Sequence, residues 1–149
     1  MKNSDRILKR QKYKVRFKNE DMDFVFNWLL GISTLFGMSH GELFCVAAQM
    51  NNESPHEWSV AFFAHAENSA KNAVAAMAEN RYELAAQYYL GAAYANKAAL
   101  QFCDPATPGY IEGVKAMQSA FVLGAKYLGA PIRSIEVPYQ DTTLPGYYL

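Results

Sequence analysis

The chain has 149 residues, 51% of them apolar and 19% charged, an ordinary composition for one soluble domain with a real core. No apolar run approaches the ~20 residues of a membrane span. The greasiest stretch, residues 24–36, is broken by Asn27, Gly31, Ser33 and Thr34, and the basic N-terminus lacks the apolar segment of a secretory signal. Cys45 and Cys103 form no disulfide framework. Together with three scattered histidines they supply no metal-ligand spacing, so the expectation is no metal, no cofactor, and two reduced, buried thiols in a cytoplasmic setting.

A formal charge of zero hides an asymmetry. Residues 1–18 hold eight Lys/Arg against one acid, Asp5, and the rest holds six against thirteen, a net of minus seven. The densest run is Lys9, Arg10, Lys12, Lys14, Arg16 and Lys18. One reading is a contact with nucleic acid or an anionic membrane. The other is a flexible, solvated tail resting on its own acidic body. The second fits better, because the body offers neither a recognition helix nor a stacking platform, and neither nucleic acid nor membrane is expected as a partner.

After that tail, residues 20–30 predict a short helix with Glu20, Asp21 and Asp23 at its positive end. Residues 31–41 are punctuated by glycine and resist assignment. Ser39-His40-Gly41-Glu42 has capping-box spacing and opens a helix through Leu43, Phe44, Val46, Ala47 and Met50. The next start is the clearest: Ser54 caps, Pro55 takes the first helical position and Glu57 follows three after the cap. Trp58, Ala61, Phe62, His65, Ala66, Ser69, Ala73, Ala76 and Met77 then recur at three- and four-residue steps. Asn80 ends this helix, and another covers residues 81–102 with Tyr82, Ala85, Tyr89, Ala92 and Asn96 on one stripe. The short joint makes the two antiparallel neighbours, with alanines facing at close approach.

Thr107-Pro108 starts a further helix carrying Tyr110, Val114, Met117, Phe121 and Leu128, and Gly129 and Pro131 end it. Residues 132–137 are β-rich with Pro138 as a stop, residues 140–142 read as a turn, and residues 144–149 are again strand-like. The fold class is thus mainly α: an antiparallel helical domain followed by a short β-hairpin. A lone hairpin is marginal in water, so this one reads as the first edge of a larger sheet outside the chain.

Gly37-Met38-Ser39-His40-Gly41 fits the G-x-S-x-G pattern of a nucleophile elbow, and residues 32–36 before it could pass for a strand. Too few residues precede Ser39 to build a parallel sheet beneath it, and His56 and His65 lie on a later helix with no loop to hold a triad histidine. Ser39 therefore reads as a helix cap, and no catalytic residue is assigned. His65, on an apolar stripe, reads as a core or interface residue and His56 as exposed; Glu67 and Glu83 read as solvated helix surface. Trp58, Phe62, Tyr82, Tyr88, Tyr89 and Tyr94 stand at helical spacing, which suits core as well as an aromatic pocket.

Several segments, in order, carry a family resemblance. Phe17-Lys18-Asn19-Glu20 is followed by Phe24 and Phe26; Leu30-Gly31 precedes Gly41-Glu42, with Gly41 standing 17 residues before Trp58; Tyr89-Leu90 is followed by Ala92; and Ile135-Glu136-Val137-Pro138-Tyr139 leads to Thr143-Leu144-Pro145-Gly146-Tyr147. This set resembles the α/β-hydrolases with an N-terminal helical cap, which include FrsA-like esterases, bacterial 2,6-dihydropseudooxynicotine hydrolase and fungal polyketide-shortening hydrolases of pigment and secondary-metabolite pathways. The resemblance implies a basic tail over residues 1–18, a helical cap over 19–130, and over 131–149 the first hairpin of a truncated hydrolase domain. It implies a serine hydrolase of esters or carbon–carbon bonds in aromatic or polyketide-like small molecules, with its triad outside this chain and the chain alone inactive. The cap would line the substrate pocket with Trp58, Phe62, His65, Tyr89 and Tyr94, binding a small molecule only together with the missing catalytic domain. Gly91, and Ala95-Asn96-Lys97, depart from the family's usual arginine and Tyr-Tyr-Arg, and Met38-Ser39-His40 replaces a more glycine-rich stretch. Self-association through the helices or the hairpin edge is a further expectation. The alternative is a tetratricopeptide-like interaction module, resembled by Asn80, Tyr82, Ala85, Tyr89 and Ala92, though no further helix pairs recur at ~34-residue spacing.

Overall fold

Helix α1 (Glu20–Ile32) starts where the Asn19 side chain accepts the N–H groups of Asp21 and Met22 at 3.0 and 3.1 Å, and it buries Met22, Phe26 and Leu29 at helical spacing. The computed structural model describes residues 14–148. The helix runs two residues past the expected Leu30, and a 3-10 helix follows over Ser33–Phe36, where a strand had been a candidate. The Ser33 N–H stays bonded to the Leu29 carbonyl, so the backbone remains helical until Gly37, at φ 82°, turns it away.

The remaining helices follow their caps. Helix α2 (His40–Ala47) has a complete capping box from Ser39 and Glu42. Helix α3 (Pro55–Ala78) is capped by Ser54, whose hydroxyl accepts the Glu57 N–H at 3.1 Å. At its end Asn80 takes φ 59°, the Asn80 N–H reaches Met77 and the Arg81 N–H reaches Ala76, the paired bonds of a Schellman motif. Helix α4 (Tyr82–Leu100) then returns. Helix α5 (Pro108–Tyr127), capped by Thr107, ends in the same motif with Gly129 at φ 70° and the Ala130 N–H on Ala125.

Two bonds tie the start of α3 to the end of α4: Trp58 Nε1–H donates to the Ala98 carbonyl at 2.7 Å and the Ser59 hydroxyl to Ala99 at 3.0 Å. Both acceptors lie in the last turn of α4, where carbonyls lack helical partners. Small residues let α5 approach α4 closely: Ala92, Ala93 and Ala120 cluster, and a Cβ at Gly124 would meet Leu90 at 2.8 Å. The main core lies between α1, α2, α3 and the end of α4, where Trp58 contacts Phe17, Phe62 and Phe102 at ring distances of 5.7, 4.7 and 5.2 Å.

The segment expected as a basic tail is part of the fold by Val15. The N–H groups of Val15, Arg16 and Phe17 converge on Asp23 Oδ1 at 3.1, 2.8 and 2.9 Å, and Phe17 is buried in the core. Residues 1–13, which hold five of the eight basic residues of that run, lie outside the described residues. Cys45, expected in the core, is exposed because it falls on the outer side of α2 while Leu43 and Val46 face inward; Cys103 is half-buried and both thiols are free.

Strands β1 (Arg133–Tyr139) and β2 (Thr142–Tyr148) form an antiparallel hairpin with Gln140, at φ 49°, in its turn. Pro138 pairs with Thr143 inside β1 and does not end it. A two-stranded sheet has an outer edge on each strand, where an imide without N–H costs no ladder bond. Ile135, Val137, Tyr139 and Leu144 share one face of the pleat and are all exposed, whereas Tyr147 on the other face meets Phe121 at 5.2 Å. No helix of the described residues is long and apolar enough to cross a membrane.

Candidate functional site

Ser39 sits where the chain enters α2. Its hydroxyl accepts the Glu42 N–H at 3.2 Å and donates to Glu42 Oε2 at 2.8 Å, and Oε2 also takes the Ser39 N–H at 2.7 Å. On the far side Glu42 Oε1 stands 3.7 Å from His65 Nε2. Serine, carboxylate and imidazole are therefore in line, but the carboxylate is in the middle. A nucleophilic serine needs the imidazole at its own hydroxyl, with the acid behind it. Here the hydroxyl donates to the Glu42 carboxylate, the imidazole of His65 meets that carboxylate and not the hydroxyl, and a 3-10 helix stands where an elbow needs a strand.

His65 is half-buried, its Nε2 has no hydrogen-bond partner, and burial lowers its pKa below the usual imidazole value while Glu42 opposes that shift.

The five residues read as pocket lining lie in separate places. Trp58 and Phe62 are 0% exposed and belong to the main core. His65 faces α2. Tyr89 is buried and stacks on Tyr127 with centroids 6.1 Å apart. Tyr94 lines a cavity, and its hydroxyl donates to the Leu29 carbonyl at 3.1 Å. Burial pushes that phenol up to about 12.

That cavity, of about 220 Å³, opens between α4, α5 and β2 and is lined by Leu90, Ala93, Tyr94, Lys97, Met117, Gln118, Phe121 and Tyr147. Its walls are almost wholly apolar; the Tyr94 hydroxyl is held by the fold, and Lys97, Gln118 and the Tyr147 hydroxyl are the other polar side-chain groups of the lining. Met117 and Phe121 were legible as one stripe of α5. Lys97 and Tyr147 were not, since nothing local brings a lysine of α4 beside a tyrosine of a hairpin fifty residues later. A second, open hollow of about 520 Å³ is lined by Ser39 and Glu42 together with Gly37, Met38 and Gln87. Among the described residues no group of three or more His, Cys, Asp or Glu could hold a metal ion.

No family model matches the chain. It is similar to the hydrolase LUC6 of Fusarium sp, at 30% identity over 133 residues that cover 87% of this chain and 32% of that protein. It is also similar to the 20-hydroxy-prefusarin hydrolase FUS2 of Gibberella moniliformis (strain M3125 / FGSC 7600), at 32% identity with the same coverage. The chain thus spans about a third of the length of each relative. Over most of its own length it is related in sequence to fungal hydrolases.

Proposed function

We propose that this chain is the helical, N-terminal part of a serine-type α/β-hydrolase acting on esters or carbon–carbon bonds of aromatic or polyketide-like small molecules. The observation that carries this reading is the similarity to two fungal hydrolases along 87% of the chain but only 32% of theirs. The hairpin supports it: the face bearing Ile135, Val137, Tyr139 and Leu144 is uncovered, as the first strands of a larger sheet would be before the rest packs against them. In this reading the helices give a pocket shape and dryness, and the proton transfers belong to residues outside this chain.

The 149-residue chain is then expected to show no turnover of p-nitrophenyl acetate or butyrate above the buffer rate. Turnover that Ser39→Ala abolishes would overturn the proposal. The coding DNA beyond Leu149 is the complementary test. An in-frame continuation with a strand-flanked G-x-S-x-G and a later histidine is the expected result; an immediate stop codon contradicts it.

A further inference from the structure

Lys97, an exposed residue of α4, is part of the lining of the cavity between α4, α5 and β2, with its ammonium 5.2 Å from the centre of the Trp28 ring. Among the described residues no carboxylate pairs with it, although ion pairs form elsewhere at Lys14, Lys71 and Arg81. Beneath it the walls are Leu90, Met117, Phe121 and Tyr147, and Tyr94 offers its ring because its hydroxyl is held by Leu29. One cation above an apolar slot flanked by three aromatic rings and a thioether is a specific chemical arrangement. Flat, unsaturated surfaces pack well against aromatic edges and sulfur. A charge at the rim, where the surroundings are less polar than bulk water, gains more from an anion than a fully solvated lysine would.

The geometry points to a binding site for a planar, unsaturated molecule with a single anionic group, its flat body against Met117, Phe121 and Tyr147 and its anion on Lys97 Nζ. A volume of 220 Å³ lies below the ~300–1,000 Å³ of drug-sized pockets, so the buried part is limited to roughly a two-ring body. The Trp28 ring stands beside the same ammonium. Every residue of this site belongs to the described chain, so the site stands whether or not the hydrolase reading does.

The test compares two probes of one shape on the intact chain: 8-anilino-1-naphthalenesulfonate, which is anionic, and N-phenyl-1-naphthylamine, which is not. Wild-type protein is expected to bind the sulfonate saturably at one site and more tightly than the neutral amine. Lys97→Met keeps the stem and removes the charge; it should weaken the sulfonate about tenfold and leave the amine unchanged. Lys71→Met, on the exposed face of α3, should alter neither. Because Lys97 is exposed, its variant is not expected to unfold, and circular dichroism checks this. Unsaturable binding by the wild type, or sulfonate affinity in Lys97→Met equal to that in wild type or in Lys71→Met, would refute the site.

Discussion

The carbonyl oxygen of Gly37 lies 3.0 Å from where a Cβ on Gly91 would stand, so the loop before α2 crosses α4 backbone to backbone. Gly37 is the tighter partner: its own Cβ would meet the Gln87 carbonyl oxygen at 2.8 Å, and its φ of 82° is one that side chains resist. A longer side chain at 91 would have to displace the Gly37 carbonyl and with it the loop.

Gly37→Ala is therefore expected to destabilise the chain by about 1–3 kcal/mol, from left-handed strain plus the clash with Gln87. Gly91→Ala should cost less, since the Gly37 carbonyl needs to give by only a few tenths of an ångström. Urea unfolding of both variants measures the order; a Gly91→Ala cost exceeding that of Gly37→Ala would contradict the geometry.

Asp23 fastens residues 15–17 to α1. Burial pushes its carboxyl up, but the N–H groups of Arg16, Phe17 and Val15, with the nearby Lys14 charge, outweigh that and hold it below its usual 3.8. With the folded value depressed, the contribution to stability is complete above pH 3.8 and is lost as pH falls through the folded value. Asp23→Ala should cost about 2–3 kcal/mol at pH 7, in line with several hydrogen bonds to a charged acceptor. The gap to wild type should narrow below pH 3.8, and unfolding curves at pH 7 and pH 3 measure it. A gap of constant size would show that the carboxylate's charge is not what holds the segment.

His65 titrates in the opposite chemical sense with the same sign of linkage. Its folded pKa lies below 6.5 because burial disfavours the imidazolium, so the unfolded chain binds its proton first. Stability attributable to it is present above pH 6.5 and falls as pH drops through the folded value. The ring's NMR titration midpoint should lie below 6.5. His65→Phe, which removes the unpartnered Nε2, should flatten the loss of stability between neutral pH and pH 5. A midpoint at or above 6.5 would show that Glu42, 3.7 Å away, dominates over burial.

What was readable from the residue order is what depends on near neighbours. Ser39 with Glu42, Ser54 with Pro55 and Glu57, and Thr107 with Pro108 each satisfy orphan N–H groups within one turn, so their helices start where the spacing places them. The hairpin was legible for the same reason, because its turn and its strands adjoin. Residues 32–36 resisted assignment because their apolar, partly β-branched character is shared by strands and helical turns, and only the continued bond from Ser33 to Leu29 separates the two.

Contacts between distant segments required the tertiary structure. Nothing near Asp23 in the chain announces that it will gather three N–H groups from residues before it, and nothing near Gly91 announces the crossing with Gly37. Apolar aromatics at helical spacing look alike whether they fill a core, as Trp58 and Phe62 do, or a cavity wall, as Phe121 does. Periodicity specifies which face of a helix is apolar. What that face meets is decided by how the other helices close around it, and that is a property of the packed whole.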